Sequence, residues 1–311
     1  MDDYSFLSPQ ERLTLDLRRL YEDSGFKKFK VAKFESYDFY AQNRDFIIGN
    51  KIISFTDSNG RLMALKPDVT LSIVKNTEYN DRSVRRLYYT ENVYREAKDV
   101  HELREIFQIG VEVVGAVTPE ESSNLVLLAV RSLDMTDSCC VLSISHMGLL
   151  EGLLDEITPD SAIRAKILSL MSGKNAHELT QFANANGLPD RPIAAACELC
   201  TTTDRGVITA RRCCLNDKMS SAVDELDDIL KSLDRAGFAD KVKLDLSLSK
   251  DPGYYDGLIF EGYVNGVSRA VLSGGRYDSL MKRMGKGCVN ALGFAVYFDA
   301  LERKLSTGGA V

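Results

Sequence analysis

A carboxylate and a hydroxyl group lie two positions apart in the segment ALKPDVT, residues 64–70. Because Pro67 bends the chain just before them, Asp68 and Thr70 could point into one pocket. The same spacing also suits an aspartate that caps a helix, and the pattern from Pro67 to Lys75 is helical. The sequence therefore predicts a polar site or a capped helix start at this bend, and it leaves both open.

Two arginines flank a polar loop between segments with strand character. Arg95 ends the segment RRLYYTENVYR, and Arg104 lies just before EIFQIGVEVVG. Guanidinium groups on facing strands can hold a phosphate or a carboxylate through paired hydrogen bonds. A solvated hairpin with surface charges would show the same residues, so the sequence allows both interpretations.

Gln108 and Glu112 are polar residues within the otherwise apolar strand pattern FQIGVEV. They are four positions apart, so both side chains face the same side of a strand. A polar pair there must be solvated or hydrogen-bonded. This favours either a cavity that recognises an amine or amide, or one exposed face of the sheet.

A fourth group combines Tyr254 and Tyr255 with the motif SGGRYD at residues 273–278. Paired glycines let the backbone approach a ligand closely just before a helix begins. The segment matches neither GxGxxG nor GxxxxGK[ST], the signatures of nucleotide-binding loops. It is therefore a candidate site whose ligand the motif does not identify.

Cysteine and histidine residues do not indicate a metal site, although the chain has 7 Cys and 3 His. Cys197 and Cys200 have a zinc-ligand spacing, but they lie in a helical pattern. The second pair, Cys213 and Cys214, is adjacent, and His101 stands alone in a polar loop. We expect buried thiols in a reducing compartment, and neither a metal nor an organic cofactor.

Composition excludes several classes of protein. The 311 residues are 44% hydrophobic and 27% charged, which excludes a disordered chain. The formal net charge of −6 does not favour a general nucleic-acid surface. No apolar run reaches the roughly 18 residues of a membrane span, and the start, MDDYSFLSPQER, does not resemble a signal peptide. A cytoplasmic protein without a membrane contact is expected.

Local signals place the first elements. Ser8 and Glu11 can form a capping box around Pro9, and the helix that follows should end near Gly25. The apolar runs KIISFTD and RLMALK, separated by Ser-Asn-Gly, predict a hairpin at residues 51–66.

The remaining pattern predicts an α+β fold. Strands are predicted at 85–95, 105–115, 139–147, 241–249, 256–264 and 268–274, and helices at 122–134, 276–284 and 295–305. The stretch from about 155 to 236 contains helical segments and no convincing strand. Because strands and helices do not alternate regularly, an antiparallel sheet with helices on one side fits best. We expect one core fold from residues 1–152 and 238–311, and a helical insertion domain at 153–237.

Taken in order, ALKPDVT, RLYYTENVYRE, LREIFQIGVEVVG, YYDGLIFEGY, SGGRYD and ALGFAVYFDALE resemble the catalytic core of histidyl-tRNA synthetase, a class II aminoacyl-tRNA synthetase. The resemblance covers roughly residues 1–150 and 240–305. It implies an antiparallel sheet flanked by helices, and it places the helical block where that family carries its insertion domain.

Several departures affect the positions that handle ATP in the synthetase family. The family motif RGLDYY reads KDPGYY here, so its arginine is replaced by Lys250 or lost. The family motif GFAxGxER reads GFAVYFDA. Tyr297 therefore stands at a glycine that makes room for ATP, and Ala300 stands at the arginine on the phosphates. Losing such an arginine lowers the rate of phosphate chemistry by orders of magnitude, so adenylate formation is not expected.

Two further departures concern the loop of the second motif and the end of the chain. The loop is one residue shorter than in the family, although Arg95 and Arg104 remain. The chain stops ten residues after Leu301. The resemblance therefore leads us to expect no anticodon-reading domain.

The amino-acid half of the pocket, by resemblance, is kept. Asp68 and Thr70 stand at positions that hold the substrate's α-amino group in that family. Gln108 and Glu112 stand at positions that approach the substrate's backbone and ring. The tyrosine pair matches the residues that line the imidazole subsite. The histidine-binding residues that the resemblance implies are Asp68, Thr70, Arg95, Gln108, Glu112, Tyr254 and Tyr255.

A synthetase core that keeps the amino-acid pocket and loses ATP chemistry resembles the regulatory subunits of short-form ATP phosphoribosyltransferase. That family is non-catalytic, is required for activity of the short catalytic subunit in the first step of histidine biosynthesis, and takes part in histidine feedback. The resemblance implies a homodimer within a hetero-octamer, with histidine as ligand.

Two alternatives remain open from the sequence. One is a divergent or truncated synthetase-like enzyme that activates an amino acid, with Lys250 in place of the lost arginine. The other is a sensor of tRNA shape, against which the acidic charge balance argues.

Overall fold

The computed structural model describes residues 6–47, 52–77, 83–96, 102–202, 206–250, 254–287 and 289–307. Its helices are α1 (Pro9–Asp23), α2 (Tyr37–Gln42), α3 (Val69–Asn76), α4 (Pro119–Thr136), α5 (Met147–Ile157), α6 (Ser161–Ser172), α7 (Ala176–Ala185), α8 (Asp190–Thr201), α9 (Val207–Arg212), α10 (Asp217–Arg235), α11 (Asp278–Arg283) and α12 (Phe298–Thr307). Its strands are β1 (Lys27–Lys28), β2 (Phe34–Ser36), β3 (Ser54–Thr56), β4 (Leu62–Leu65), β5 (Val84–Glu96), β6 (Leu103–Gly115), β7 (Cys140–His146), β8 (Val242–Leu244), β9 (Leu258–Val264), β10 (Leu272–Arg276) and β11 (Asn290–Tyr297).

The start of α1 confirms the predicted capping box. The amide of Glu11 donates to the Ser8 hydroxyl at 3.3 Å, and the Ser8 amide donates to the Glu11 carboxylate at 2.9 Å. These contacts satisfy amide groups that have no partner within the helix. One face of α1, carrying Leu13, Leu17 and Tyr21, is buried against the core.

The described strands form a large sheet in the order β1-β5-β6-β11-β10-β9-β7-β8 and a small sheet in the order β2-β4-β3. The six central strands of the large sheet are paired antiparallel, and only the short edge strands β1 and β8 pair in parallel. This arrangement confirms the predicted α+β fold class. The small sheet contains the predicted hairpin, whose turn is held by the Asp57 carboxylate accepting from the amides of Asn59 and Arg61 at 2.8 Å each.

The two faces of the large sheet have different surroundings. On β6, the side chains of Ile109, Val111 and Val113 belong to the hydrophobic core, together with residues of α1, α4 and α12. Successive side chains alternate between the faces of a strand, so Gln108 and Glu112 lie on the opposite face. One face of the long β5–β6 hairpin therefore packs against helices, and side chains on its other face line the functional site.

One predicted element is wrong at the C-terminal end. The sequence pattern favoured a single helix at 295–305, but β11 extends to Tyr297 and α12 begins at Phe298. The segment from Ala291 to Val296 is buried on both faces in the middle of the sheet. A strand buried on both faces is an unbroken apolar run, and periodicity cannot distinguish such a run from a buried helix.

The helices α5 to α10 form the block between β7 and β8. Within the described residues from 147 to 235, the only regular elements are helices. Their buried side chains, including Leu153, Leu199 and Leu226, belong to the same hydrophobic cluster as the large sheet. Helix α5 crosses residue 153, where the insertion is predicted to begin, and the domain boundaries therefore stay a prediction. Among the described helices, none combines the length and apolar character needed to cross a bilayer.

Candidate functional site

A cavity of about 330 Å³ lies on the polar face of the large sheet. All seven residues predicted from the sequence line it: Asp68, Thr70, Arg95, Gln108, Glu112, Tyr254 and Tyr255. The lining also includes Phe46, Tyr89, Lys250, Ser273, Tyr277, Gly293, Ala295 and Tyr297. The seven predicted residues alone are up to 187 positions apart in the sequence (Asp68 and Tyr255), and the strand order brings them together.

Small residues form the floor of the cavity. Gly293 of β11 lies directly between Glu112 of β6 and Gly275 of β10 in the strand register. A Cβ atom on Gly293 would lie 1.8 Å from a carboxylate oxygen of Glu112, and one on Gly275 would lie 2.7 Å from the ring of Tyr255. These glycines therefore leave the space that the acidic and aromatic side chains occupy.

Glu112 is the most deeply placed acidic group of the site, with 2% of the residue exposed. Its two carboxylate oxygens accept hydrogen bonds from the hydroxyl groups of Thr70 at 2.7 Å and Tyr277 at 2.5 Å. Burial raises the pKa of Glu112 to about 8, and the nearby charge of Asp68 acts in the same direction, while the two hydroxyl groups oppose it. A cationic group of a ligand would stabilise the ionised form of this carboxyl.

Asp68 combines the two roles that the sequence left open. It is the N-cap of α3 and accepts from the Leu71 amide at 3.0 Å. It also lines the cavity, with 7% of the residue exposed. Burial raises the pKa of Asp68, and the charge of Arg95 opposes that rise. The cap fixes the direction of the carboxylate, so the same contact that starts the helix also orients a binding group.

Arg95 is held at the cavity by its own strand and by the bend before α3. Its Nε atom donates to the Pro67 carbonyl at 2.9 Å, which fixes the orientation of the guanidinium. Arg104 lies directly opposite Arg95 in the β5–β6 register, but it is exposed and does not line the cavity. Of the two arginines considered from the sequence, only Arg95 therefore lines the cavity.

Aromatic rings form a wall beside Glu112. The ring centroids of Tyr254 and Tyr255 are 4.6 Å apart, and Tyr254 also packs against Phe46 at 6.0 Å and Tyr277 at 6.1 Å. Burial raises the pKa of Tyr254 and Tyr255 well above the ordinary value. These phenols therefore stay protonated near neutral pH and can donate hydrogen bonds.

Tyr277 is a functional residue that the sequence reasoning did not assign. It is 2% exposed, and its hydroxyl donates to Glu112 across 165 positions of the sequence. The SGGRYD motif contained the signal, because a tyrosine directly after a glycine-rich strand can turn back over that strand. Only the register of β10 and β11 shows which carboxylate it meets.

Tyr297 and Lys250 also line the cavity. Tyr297 lies directly opposite Gln108 in the β11–β6 register, and both line the cavity. Lys250 pairs with the carboxylate of Glu261, which also accepts from the Tyr263 hydroxyl at 2.6 Å. The lining therefore includes a bulky phenol and a lysine that already has an acidic partner.

The cysteines considered as zinc ligands make other contacts. Cys197 and Cys200 lie on α8, and their thiols donate to the carbonyls of Ala176 at 3.6 Å and of Cys197 at 3.3 Å. Burial raises the pKa of the Cys200 and Cys213 thiols. Over the described ranges, no group of three or more His, Cys, Asp or Glu has metal-binding geometry. His101 lies outside the described residues.

The arrangement suits a small zwitterion with a polar ring. The cavity lining contains two carboxylates, several hydroxyl groups and a guanidinium that can meet an acidic group of a ligand. An amino acid with a basic, planar side chain satisfies all of these groups together. The fold and the cavity define a protein of the class II aminoacyl-tRNA synthetase type.

The sequence profile of the histidyl-tRNA synthetase family matches residues 7–301, so the chain belongs to that family. A relative in Alkaliphilus metalliredigens, named ATP phosphoribosyltransferase regulatory subunit, is 27% identical over 91% of this chain and 74% of its own length. A relative in Methanocaldococcus jannaschii, named histidine–tRNA ligase, is 28% identical over 92% of this chain and 69% of its own length.

Solved structures share the fold. A Bacillus halodurans protein, described as an ATP phosphoribosyltransferase regulatory subunit/histidyl-tRNA synthetase, has a TM-score of 0.84 at 24% identity, over 96% of this chain and 79% of that one. A chain of the ATP phosphoribosyl transferase (HisG:HisZ) complex from Thermotoga maritima has a TM-score of 0.73 at 22% identity, over 92% of this chain and 96% of that one.

Proposed function

We propose that this chain is the non-catalytic regulatory subunit of ATP phosphoribosyltransferase. In that role it is required for activity of the short catalytic subunit in the first step of histidine biosynthesis, and it takes part in feedback by histidine. The observation that carries the proposal is the lining of the cavity, which combines acidic and aromatic groups suited to an amino acid with the bulky Tyr297 ring. The name of the Alkaliphilus metalliredigens relative supports the same function.

We propose that the cavity binds histidine through Asp68, Thr70, Arg95, Gln108, Glu112, Tyr254 and Tyr255. The α-ammonium group would meet the Asp68 carboxylate and the Thr70 hydroxyl, which are both oriented by the start of α3. The imidazole would lie against the tyrosine wall and donate to Glu112, and the ligand carboxylate would meet Arg95.

Reconstitution of ATP phosphoribosyl transfer tests this function. A short-form catalytic subunit is assayed alone and with the purified chain, and histidine is then added to the active mixture. We expect activity only when both proteins are present, and inhibition by histidine. If the chain neither changes the activity nor co-purifies with the catalytic subunit, the proposal is wrong.

A second candidate is a divergent synthetase-like enzyme that activates an amino acid. Lys250 favours it, because a lysine lining the cavity could meet a phosphate. The ion pair between Lys250 and Glu261 argues against it, because the lysine charge already has a carboxylate partner. Histidine-dependent exchange of pyrophosphate into ATP, abolished by Lys250→Ala, would establish this enzyme and overturn the regulatory function.

The assembly, location and domain boundaries are proposals of the same kind. We propose a homodimer that joins the short catalytic subunit in a hetero-octamer in the cytoplasm, without a membrane contact and without tRNA as a partner. We also propose that residues 153–237 form the insertion domain of a core built from 1–152 and 238–311. Light scattering of the chain alone and with the catalytic subunit measures both assembly states.

A further inference from the structure

A partly buried polar cluster joins the helical block to the large sheet, outside the cavity described above. The carboxylate of Glu225, on α10, lies 3.1 Å from Nε2 of His146 and 3.6 Å from a terminal guanidinium nitrogen of Arg276. The same nitrogen of Arg276 donates to the Ser122 hydroxyl on α4 at 2.8 Å. The cluster thus brings together one residue each from α10, α4, β7 and β10.

His146 faces Glu225 in one fixed orientation. It is the N-cap of α5, and its Nδ1 atom accepts from the Gly148 amide at 3.0 Å. Because an amide can only donate, Nδ1 is the acceptor and the ring proton lies on Nε2, directed at Glu225. Burial raises the pKa of Glu225, but the hydrogen bond from His146 and the charge of Arg276 outweigh it, and the pKa is lowered overall. Glu225 is therefore an ionised group that accepts a hydrogen bond from His146 and forms an ion pair with Arg276, both on the sheet side.

Arg276 reaches from this cluster to the tyrosine wall. Its carbonyl accepts from the Asp256 amide at 3.2 Å, and its side chain lies so close over Gly257 that a Cβ atom there would be 2.8 Å from the Arg276 Cδ. The Gly257 carbonyl in turn accepts from the Met147 amide at the start of α5, at 2.8 Å. Asp256 and Gly257 directly follow Tyr255 in the sequence. The hydrogen bonds of Asp256 with Arg276 and of Gly257 with Met147 therefore hold the segment that carries the tyrosines.

We propose that Glu225 is a positioning residue for the ligand cavity, which couples the helical block to the tyrosine wall through Arg276. This inference rests on the proposed function, because it takes histidine as the ligand. When α10 is in the place described here, Glu225 holds Arg276 over Gly257, and the ring of Tyr255 stays packed on Gly275. Asp278 lies 3.7 Å from the other terminal nitrogen of Arg276, so a displacement of α10 would leave the half-buried guanidinium with one carboxylate partner instead of two, and the segment would move with it.

The coupling gives the helical block a part in regulation. A protein that binds to this block and shifts α10 changes the affinity of the cavity for histidine. By linkage, histidine in the cavity changes the affinity for that protein by the same factor. The contact between Glu225 and Arg276 is the physical step that joins the two sites.

The test is the affinity for L-histidine, measured by calorimetry on the full chain. Glu225→Gln keeps the shape of the side chain and removes the charge that faces Arg276. We expect histidine to bind about tenfold more weakly, which lies within the usual range of coupling between sites. The control is Asp228→Asn, an exposed residue on the same helix, which should leave the affinity unchanged.

A double-mutant cycle shows whether the effect passes through Arg276. If it does, Glu225→Gln combined with Arg276→Gln weakens binding no more than the stronger of the two single variants. His146→Asn gives a milder perturbation, because asparagine can still cap α5 and yet does not reach Glu225; it should weaken binding in the same direction. Urea unfolding of each variant is measured in parallel, so that affinities are compared only for folded protein.

The outcomes separate the two proposals. If the starting protein does not bind L-histidine, the proposed ligand is wrong and the coupling fails with it. If the starting protein binds histidine and Glu225→Gln binds it equally well, only the coupling is overturned, even where the variant is less stable. Additive losses from Glu225→Gln and Arg276→Gln would also overturn it, because the two residues would then act independently.

Discussion

Replacing Glu112 by Gln should make the folded protein more stable at alkaline pH while weakening histidine binding. Burial raises the pKa of Glu112 from 4.5 to about 8. Between these values the folded state binds more protons than the unfolded chain, so the free energy of unfolding falls as pH rises. At 1.36 kcal/mol per pKa unit, the loss amounts to about 4 kcal/mol by pH 8. Glutamine removes the ionisation, and the hydroxyl groups of Thr70 and Tyr277 can rotate to accept from its amide.

Urea unfolding between pH 5 and pH 8 measures this effect. We expect the starting protein to lose stability with rising pH, and Glu112→Gln to show a much flatter dependence. Calorimetry should show at least about tenfold weaker histidine binding, because a charged hydrogen bond is replaced by a neutral one. Glu120→Gln, at an exposed site on α4, is the control for both measurements. Equal pH dependence in the starting protein and Glu112→Gln would refute the reasoning.

Three further substitutions test a glycine contact, a helix cap and an ion pair in the structure. Gly293→Ala forces a methyl group toward the Glu112 carboxylate, and urea unfolding should show a loss of about 1–3 kcal/mol; unchanged stability would contradict the packing. Asp68→Ala should cost about 1 kcal/mol as a lost cap and also weaken histidine binding in calorimetry, whereas Thr118→Ala, the cap of α4, should lower stability alone. Lys66→Met leaves the part-buried carboxylate of Glu91 without its cation and should cost about 1–3 kcal/mol in urea unfolding; unchanged stability would contradict a stabilising role for this ion pair.

Local sequence signals were sufficient where the chemistry was local. The capping box of α1 and the turn of the β3–β4 hairpin depend on contacts within a few residues, and both are as predicted. The even spacing of Gln108 and Glu112 placed both on one face of β6, because side chains alternate along any strand. Their partners could not be predicted in this way, since Tyr277 meets Glu112 only through the order of the strands.

The sequence was insufficient where burial on both faces hides the pattern. The strand β11 was predicted in part as a helix, because its central position removes the alternation that marks a half-buried strand. The same central position explains why Gly293 had no visible role in the sequence. A glycine is needed there because Glu112, from the neighbouring strand, occupies the space above it.

The sequence by itself determined the residue types of the site, the local elements that carry them and the resemblance to one family of folds. It did so because caps, turns and strand alternation depend on neighbours along the chain. The tertiary structure alone decided that Arg95 and not Arg104 lines the cavity, that Tyr277 holds Glu112, and that Glu225 reaches Arg276. Those contacts depend on strand order and helix packing, which bring together groups that no sequence spacing relates.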